Sequence, residues 1–237
     1  MNTNSARYFG LATARKLVHL VVGLFACSLV SAQSPMNTPA AKHMVLIGAS
    51  YAAEWESPKL PGYTVTNKGI GGQESSDLRA RFERDVLALK PDAVMIWGHY
   101  NDIVRASDDK MAAAKQKAQD NYRWMTEQAR AAGITVILVT EITIPIPDTL
   151  KENAMAWLGS LLGKQDYRSK KNEQIKAVNV WLRDYARSQN IKLIDLEQAL
   201  DSGNGTRKVE YTRDDNSHVS PAGYQAITRY VVAQLAR

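Results

Sequence analysis

A single cysteine, Cys27, occurs in 237 residues, so the chain can close no disulfide within itself and build no multi-thiolate metal site. Long apolar runs are also missing. The longest, Leu17 to Val30, is interrupted by His19 and is short for a membrane span. Histidine is sparse: beyond residue 32 only His43, His99 and His218 remain, with no H-x-x-x-H spacing, and a three-histidine metal site is rejected because His43 opens a strand at the opposite edge from the other two. Charge of one sign is nearly balanced. The formal +6 includes Arg7, Arg15 and Lys16 in a segment without acids, which leaves 27 basic against 24 acidic residues, or +3, in the rest. No basic stripe with interleaved aromatics stands out, and nucleic acid is not an expected partner.

The basic N-terminus, the apolar run and the small residues Val30-Ser31-Ala32 before Gln33 together make a secretory signal over residues 1–32. Cleavage after Ala32 would export the chain to a periplasmic or extracellular space, with no stable membrane span in the mature form. A second reading takes Leu24-Phe25-Ala26-Cys27 as a lipoprotein cleavage site that leaves Cys27 lipid-anchored. Removal of the signal leaves 205 residues, 33–237, enough for one domain with a substantial core.

From His43 onward, compact apolar runs alternate with longer segments of helical periodicity. Met44–Ile47, Tyr63–Thr66, Ala93–Trp97, Thr135–Val139 and Lys192–Ile194 are strand candidates; Ser76–Leu89, Lys110–Ala132, Asn172–Gln189 and Pro221–Leu235 are helix candidates. The strands show little polar alternation, as expected when both faces are buried. The pattern predicts an α/β fold with a five-stranded parallel sheet covered by helices on both faces. Residues 143–171, with Pro145, Pro147, Trp157, Leu158, Leu161 and Leu162, fit this alternation least and read as an insertion or lid, or as a surface helix whose apolar side joins the core.

In such a sheet the loops after the strands gather at one edge. Ser50 follows the first strand, Gly69-Ile70-Gly71-Gly72 the second, Asn101 and Asp102 the third, and Asp215 and His218 lie between the last strand and the last helix. A serine hydroxyl needs a base to become a nucleophile and the base needs an orienting carboxylate, which His218 and Asp215 can supply. Gly72 can offer a backbone N–H, and Asn101 an amide, to an oxyanion. Each residue has an ordinary alternative: Ser50 as a helix N-cap, Gly69–Gly72 as a tight turn, Asn101 and Asp102 as turn or capping residues, His218 as the cap of the last helix. All of these would have to hold together, in register. His99 reads as a wall or support residue, and Glu141, after the fourth strand, as a cleft-lining or structural residue.

Four blocks, Val45-Leu46-Ile47-Gly48-Ala49-Ser50, Asn67-Lys68-Gly69-Ile70-Gly71-Gly72, Gly98-His99-Tyr100-Asn101-Asp102 and Asp215-Asn216-Ser217-His218, supply Ser, Gly, Asn and His in that order. In this the chain resembles the SGNH, or GDSL-like, serine hydrolases. The resemblance implies a flavodoxin-like three-layer α/β/α sandwich, ester hydrolysis through an acyl-enzyme on Ser50, an oxyanion site that includes Gly72 and Asn101, and no cofactor. Two positions depart from the family pattern: Ala49 stands where Asp is usual, and His99 and Tyr100 make two residues where one usually separates Gly from Asn.

Other motifs fail. Gly159-Ser160-Leu161-Leu162-Gly163-Lys164-Gln165 is one residue short of a phosphate loop and lacks its Ser/Thr, Ala52 breaks a G-x-S-x-G elbow, and Gly69–Gly72 does not make the dinucleotide fingerprint. The expectation is an exported serine esterase acting on a small acyl ester: an O-acetyl group on carbohydrate, an aryl ester or a lipid ester. A noncatalytic carbohydrate- or envelope-binding module, and an O-acyltransferase using the same residues, are the alternatives.

Overall fold

Five apolar runs become five parallel strands: β1 (Lys42–Gly48), β2 (Tyr63–Gly69), β3 (Ala93–Trp97), β4 (Thr135–Val139) and β5 (Lys192–Ile194). Their order across the sheet is β2-β1-β3-β4-β5, with Gly48 of β1 level with Gly69 of β2 on one side and Trp97 of β3 on the other. This is the flavodoxin-like order. Its switch point lies where β1 has neighbours reached by connections in opposite directions, and there the carboxyl ends of β1 and β3 open a crevice.

The computed structural model describes residues 40–56, 58–146 and 166–237, all within the compact unit Pro39–Arg237. The expected signal segment lies outside the described residues, as do Trp157, Leu158, Leu161 and Leu162 of the expected lid.

Because side chains alternate across a strand, the unbroken apolar runs feed two cores at once. Val45, Ile47, Val94, Ile96, Val136 and Leu138 face one layer, built on Leu78 and Phe82 of α2 (Ser75–Ala80) and α3 (Phe82–Asp85) and on Tyr122 and Met125 of α5 (Met111–Ala131). Met44, Leu46, Met95, Trp97, Ile137 and Val139 face the other. There they meet Tyr51 of α1 (Ser50–Glu54), Ile103 of α4 (Tyr100–Arg105), and Ile227 and Val231 of α8 (Pro221–Leu235). Helix α6 (Tyr167–Ser188) serves both layers, with Ile175 and Val178 in the second and Leu182 and Ala186 in the first. A one-turn helix, α7 (Leu196–Ala199), follows β5.

The single helix expected over 76–89 is divided. It breaks at Arg81 (φ −108°, ψ 5°), and a short 3-10 turn, Leu87–Leu89, replaces its end. The tertiary environment of Arg81 accounts for this. Its guanidinium is buried and donates to the Gly48 carbonyl (3.1 Å), Asp85 (2.8 Å) and Gln73 (2.7 Å), so it braces the end of β1. At Gly48 a side chain has no room: a Cβ would stand 2.2 Å from the Trp97 carbonyl oxygen and 2.5 Å from Ala52 Cβ. The close approach of β1, β3 and α1 requires glycine here.

The described ends of the expected lid segment belong to the body of the domain. Thr143 and Ile144 are buried, and Asn172 on α6 pairs with both the N–H and the carbonyl of Ile144 (2.7 and 2.9 Å).

Candidate active site

Ser50 is the first residue of α1, directly beyond the close-packed end of β1. It is half-buried, and its hydroxyl has no hydrogen-bond partner among the described residues. Ala49, where the family pattern has an acid, is 5% exposed, so the methyl group sits where a carboxylate would need compensation.

The second and third blocks are tied to each other. Gly72 has φ +77°, which favours glycine, and Arg105 donates to its carbonyl (2.7 Å). Asn101 donates one amide hydrogen to the Gln73 carbonyl (2.8 Å), leaving the second for another acceptor. Beside it Asp102 accepts from the backbone N–H (2.7 Å) and hydroxyl (2.8 Å) of Ser75, and Asn121 donates to the Ser75 oxygen (2.9 Å). Burial raises the Asp102 carboxyl, against the pull of the Ser75 donors and of Lys117 at 3.4 Å. This buried cluster fixes the N-terminus of α2 against α4.

Glu141 does the same for the turn that leads to Asn101. Its carboxylate accepts the N–H groups of His99 (2.9 Å) and Tyr100 (3.3 Å) and the Trp97 indole N–H (3.1 Å). The extra residue in the third block therefore has a buried acceptor for its N–H. Desolvation pushes the Glu141 carboxyl up to about 7, against those three donors. His99 is fully buried, and burial holds its imidazole down at about 3, so it is neutral and shielded from solvent, in keeping with a support residue.

Asp215 and His218 form a close pair on the loop before α8. Asp215 Oδ2 lies 2.7 Å from His218 Nδ1, while Oδ1 accepts the N–H groups of Ser217 and His218 (2.8 Å each). The His218 and Ser217 N–H groups hold the Asp215 carboxyl down at about 2. With Nδ1 engaged by a carboxylate, Nε2 is the ring atom left to exchange a proton.

The loop is anchored to the helix that carries Ser50. The Tyr51 hydroxyl donates to the Ser217 carbonyl (3.0 Å), Arg207 donates to the same oxygen (2.7 Å), and the Tyr224 hydroxyl on α8 donates to the Tyr51 carbonyl (3.0 Å). Thr212 and Val219 form an antiparallel bridge, and the Arg213 N–H bonds the His218 carbonyl (2.9 Å), which closes the loop into a tight hairpin.

Glu54, one helical turn after Ser50, was not marked by any sequence motif. Its Oε1 stands 3.7 Å from His218 Nε2, and its Oε2 is 3.1 Å from Arg213 Nη2. Only the i, i+4 spacing from Ser50 hinted that it shares the nucleophile's helix face. No cluster of three or more His, Cys, Asp or Glu residues suited to a metal occurs among the described residues, and none of the described helices is long and apolar enough to cross a membrane.

The GDSL-like Lipase/Acylhydrolase family model matches residues 47–226, a span that contains all four blocks. An acetylxylan esterase of Geobacillus stearothermophilus is 45% identical over 65 residues, which is 27% of this chain and 29% of that protein. The uncharacterized lipoprotein YqeF of Bacillus subtilis (strain 168) is 39% identical over 80 residues, 34% of this chain and 33% of YqeF. The chain thus spans about a third of the length of these curated relatives. Among solved structures, a GDSL-like lipase from Bacteroides thetaiotaomicron aligns with a TM-score of 0.62 at 24% identity, covering 82% of this chain and 88% of that one. Axe2, an acetylxylan esterase from Geobacillus stearothermophilus, aligns with a TM-score of 0.57 at 20% identity, covering 84% and 96%. At these identities the structural likeness concerns the fold.

Proposed function

Since the chain belongs to the GDSL-like Lipase/Acylhydrolase family and is an ester-hydrolysing enzyme, we propose that it removes small acyl groups, acetyl first among them, through an acyl-enzyme on Ser50. The observation that carries this reading is the Asp215–His218 pair, 2.7 Å apart, on a loop bonded through Tyr51 to the helix that begins at Ser50. His218 Nε2 takes the Ser50 proton as Oγ bonds to the acyl carbon. The resulting oxyanion is met by the free amide hydrogen of Asn101 and by the backbone N–H groups of Gly72 and Ser50, each such donor contributing about 10²–10³ in rate. The intermediate collapses by breaking the bond to the alcohol oxygen, which leaves with the proton held on Nε2. Water, deprotonated by the same nitrogen, then releases the acid and restores Ser50.

In this structure Nε2 faces Glu54 rather than Ser50, and the Ser50–His218 hydrogen bond forms as substrate enters, a tightening common in sites described without substrate. Three solved Axe2 variants described as catalytic replace a serine, an aspartate and, three positions after it, a histidine. The spacing of Asp215 and His218 is the same, which supports the assignment. The sequence signal over 1–32 supports export, and the lipoprotein name of YqeF accords with export or lipid attachment.

A fluorophosphonate probe tests the nucleophile. Wild type is expected to be labelled and Ser50→Ala to remain unlabelled; equal labelling of the two would overturn the assignment.

A further inference from the structure

We propose that a groove between α1 and α8 receives the alcohol half of the ester, and that this alcohol is a sugar; the inference rests on the assignment of Ser50 and His218 above. The direction of proton delivery comes first. The nitrogen that takes the Ser50 proton must hand it to the leaving oxygen, so the alcohol departs on the Nε2 side of His218. Glu54 stands on that side, 3.7 Å from Nε2, and it also lines a groove of about 790 Å³. This volume falls in the roughly 300–1,000 Å³ range of small-molecule sites.

The lining of the groove has unspent hydrogen-bonding capacity. Glu54 Oε2 is buried and accepts no hydrogen bond, although Arg213 lies 3.1 Å away as an ion pair. Glu56, Lys59, Gln225 and Arg229 also line the groove, and their side chains make no hydrogen bond or ion pair among the described residues. Pro221 and Tyr224 supply an apolar wall between these groups. Acceptors and donors of both charge signs around an apolar strip suit a ring whose faces are apolar and whose rim carries hydroxyl groups. A long alkyl alcohol would bury Glu54 and Arg213 against hydrocarbon without compensation, which is costly. The groove therefore favours a sugar ester over a lipid ester, with the sugar's hydroxyl groups completing the bonding of Glu54.

Binding can be measured without turnover. Xylotetraose, cellotetraose and chitotetraose, none of them acetylated, are titrated by calorimetry into the full-length Ser50→Ala protein, then into the same protein carrying Gln225→Trp or Arg229→Glu. Both added changes lie on the exposed face of α8 and leave the core untouched. At least one sugar is expected to bind saturably, and to lose tenfold or more in affinity when Trp fills the groove or when Glu reverses its charge. Absence of binding by all three, or equal affinity in all three proteins, overturns the inference. Displacement of the bound sugar by 1-octanol would overturn it in favour of a lipid alcohol. Probe labelling of Ser50 is independent of all these results, so the groove can fail while the esterase assignment stands.

Discussion

Replacing Glu141 by Gln perturbs a buried carboxylate that has no cationic partner among the described residues, and the consequence is a change in how stability depends on pH. The Glu141 carboxyl ionises near 4.5 in an unfolded chain and near 7 in the folded protein. Below pH 4.5 it is protonated in both states and is neutral in the balance. Between 4.5 and 7 only the unfolded chain releases the proton, so stability falls as pH rises, by about 1.4 kcal/mol for each pH unit and about 3 kcal/mol across the window.

His99, whose backbone N–H bonds Glu141, works in the opposite sense. Its imidazole titrates near 6.5 when unfolded and near 3 when folded. Between those values only the unfolded chain gains a proton, so stability rises with pH at about the same slope. In wild type the two slopes oppose each other between pH 4.5 and 6.5. Glu141→Gln removes one of them and exposes the other. The amide also places a donor against one of the three N–H groups that the carboxylate accepts, at a pH-independent cost of about 1–3 kcal/mol. Urea unfolding at pH 4.5, 5.5, 6.5 and 7.5 is the assay. The variant is expected to be the less stable protein at pH 4.5, to gain about 3 kcal/mol on wild type by pH 7, and to match or exceed it at pH 7.5. Parallel pH profiles for the two proteins would refute the reasoning, because they would mean that Glu141 is ionised in the fold at all these pH values.

Two other perturbations test the site and its support. Asp215→Asn keeps the shape of the loop but loses the acceptor that fixes the His218 tautomer, and is expected to lower kcat on an aryl acetate by about 10²–10⁴ with KM little changed; a variant with wild-type kcat would sink the pairing. Gly48→Ala drives a methyl group to 2.2 Å from the Trp97 carbonyl and is expected to cost about 2–3 kcal/mol, read as a lowered Tm; an unchanged Tm would show that β1, β3 and α1 do not need their close contact.

Much of the architecture was legible because burial on both faces leaves a simple trace. Strands such as Ala93–Trp97 and Thr135–Val139 must be apolar at every position, and turns such as Ala132-Gly133-Ile134 punctuate them, so the expected runs and the observed strands coincide. Helix Pro221–Leu235 agrees at both ends, since Ser220 caps it and proline can occupy its first turn. The helix expected over 76–89 fails at Arg81, whose partners on Gly48, Gln73 and Asp85 outweigh helical propensity. No local pattern records such partners.

The site divides in the same way. The sequence by itself determined a five-stranded parallel sheet and four blocks whose order carries Ser50, Gly72, Asn101, Asp215 and His218 to one edge, because strand ends and the loops after them follow from periodicity alone. Tertiary structure decided what those residues face. Glu54 and Arg213 meet beside His218 only because a hairpin loop folds onto α1, and Glu141 and His99 acquire opposed titrations only because the packed domain removes both from water. Direction and desolvation belong to the assembled fold, and on them rest the course of the leaving alcohol and the response of the protein to pH.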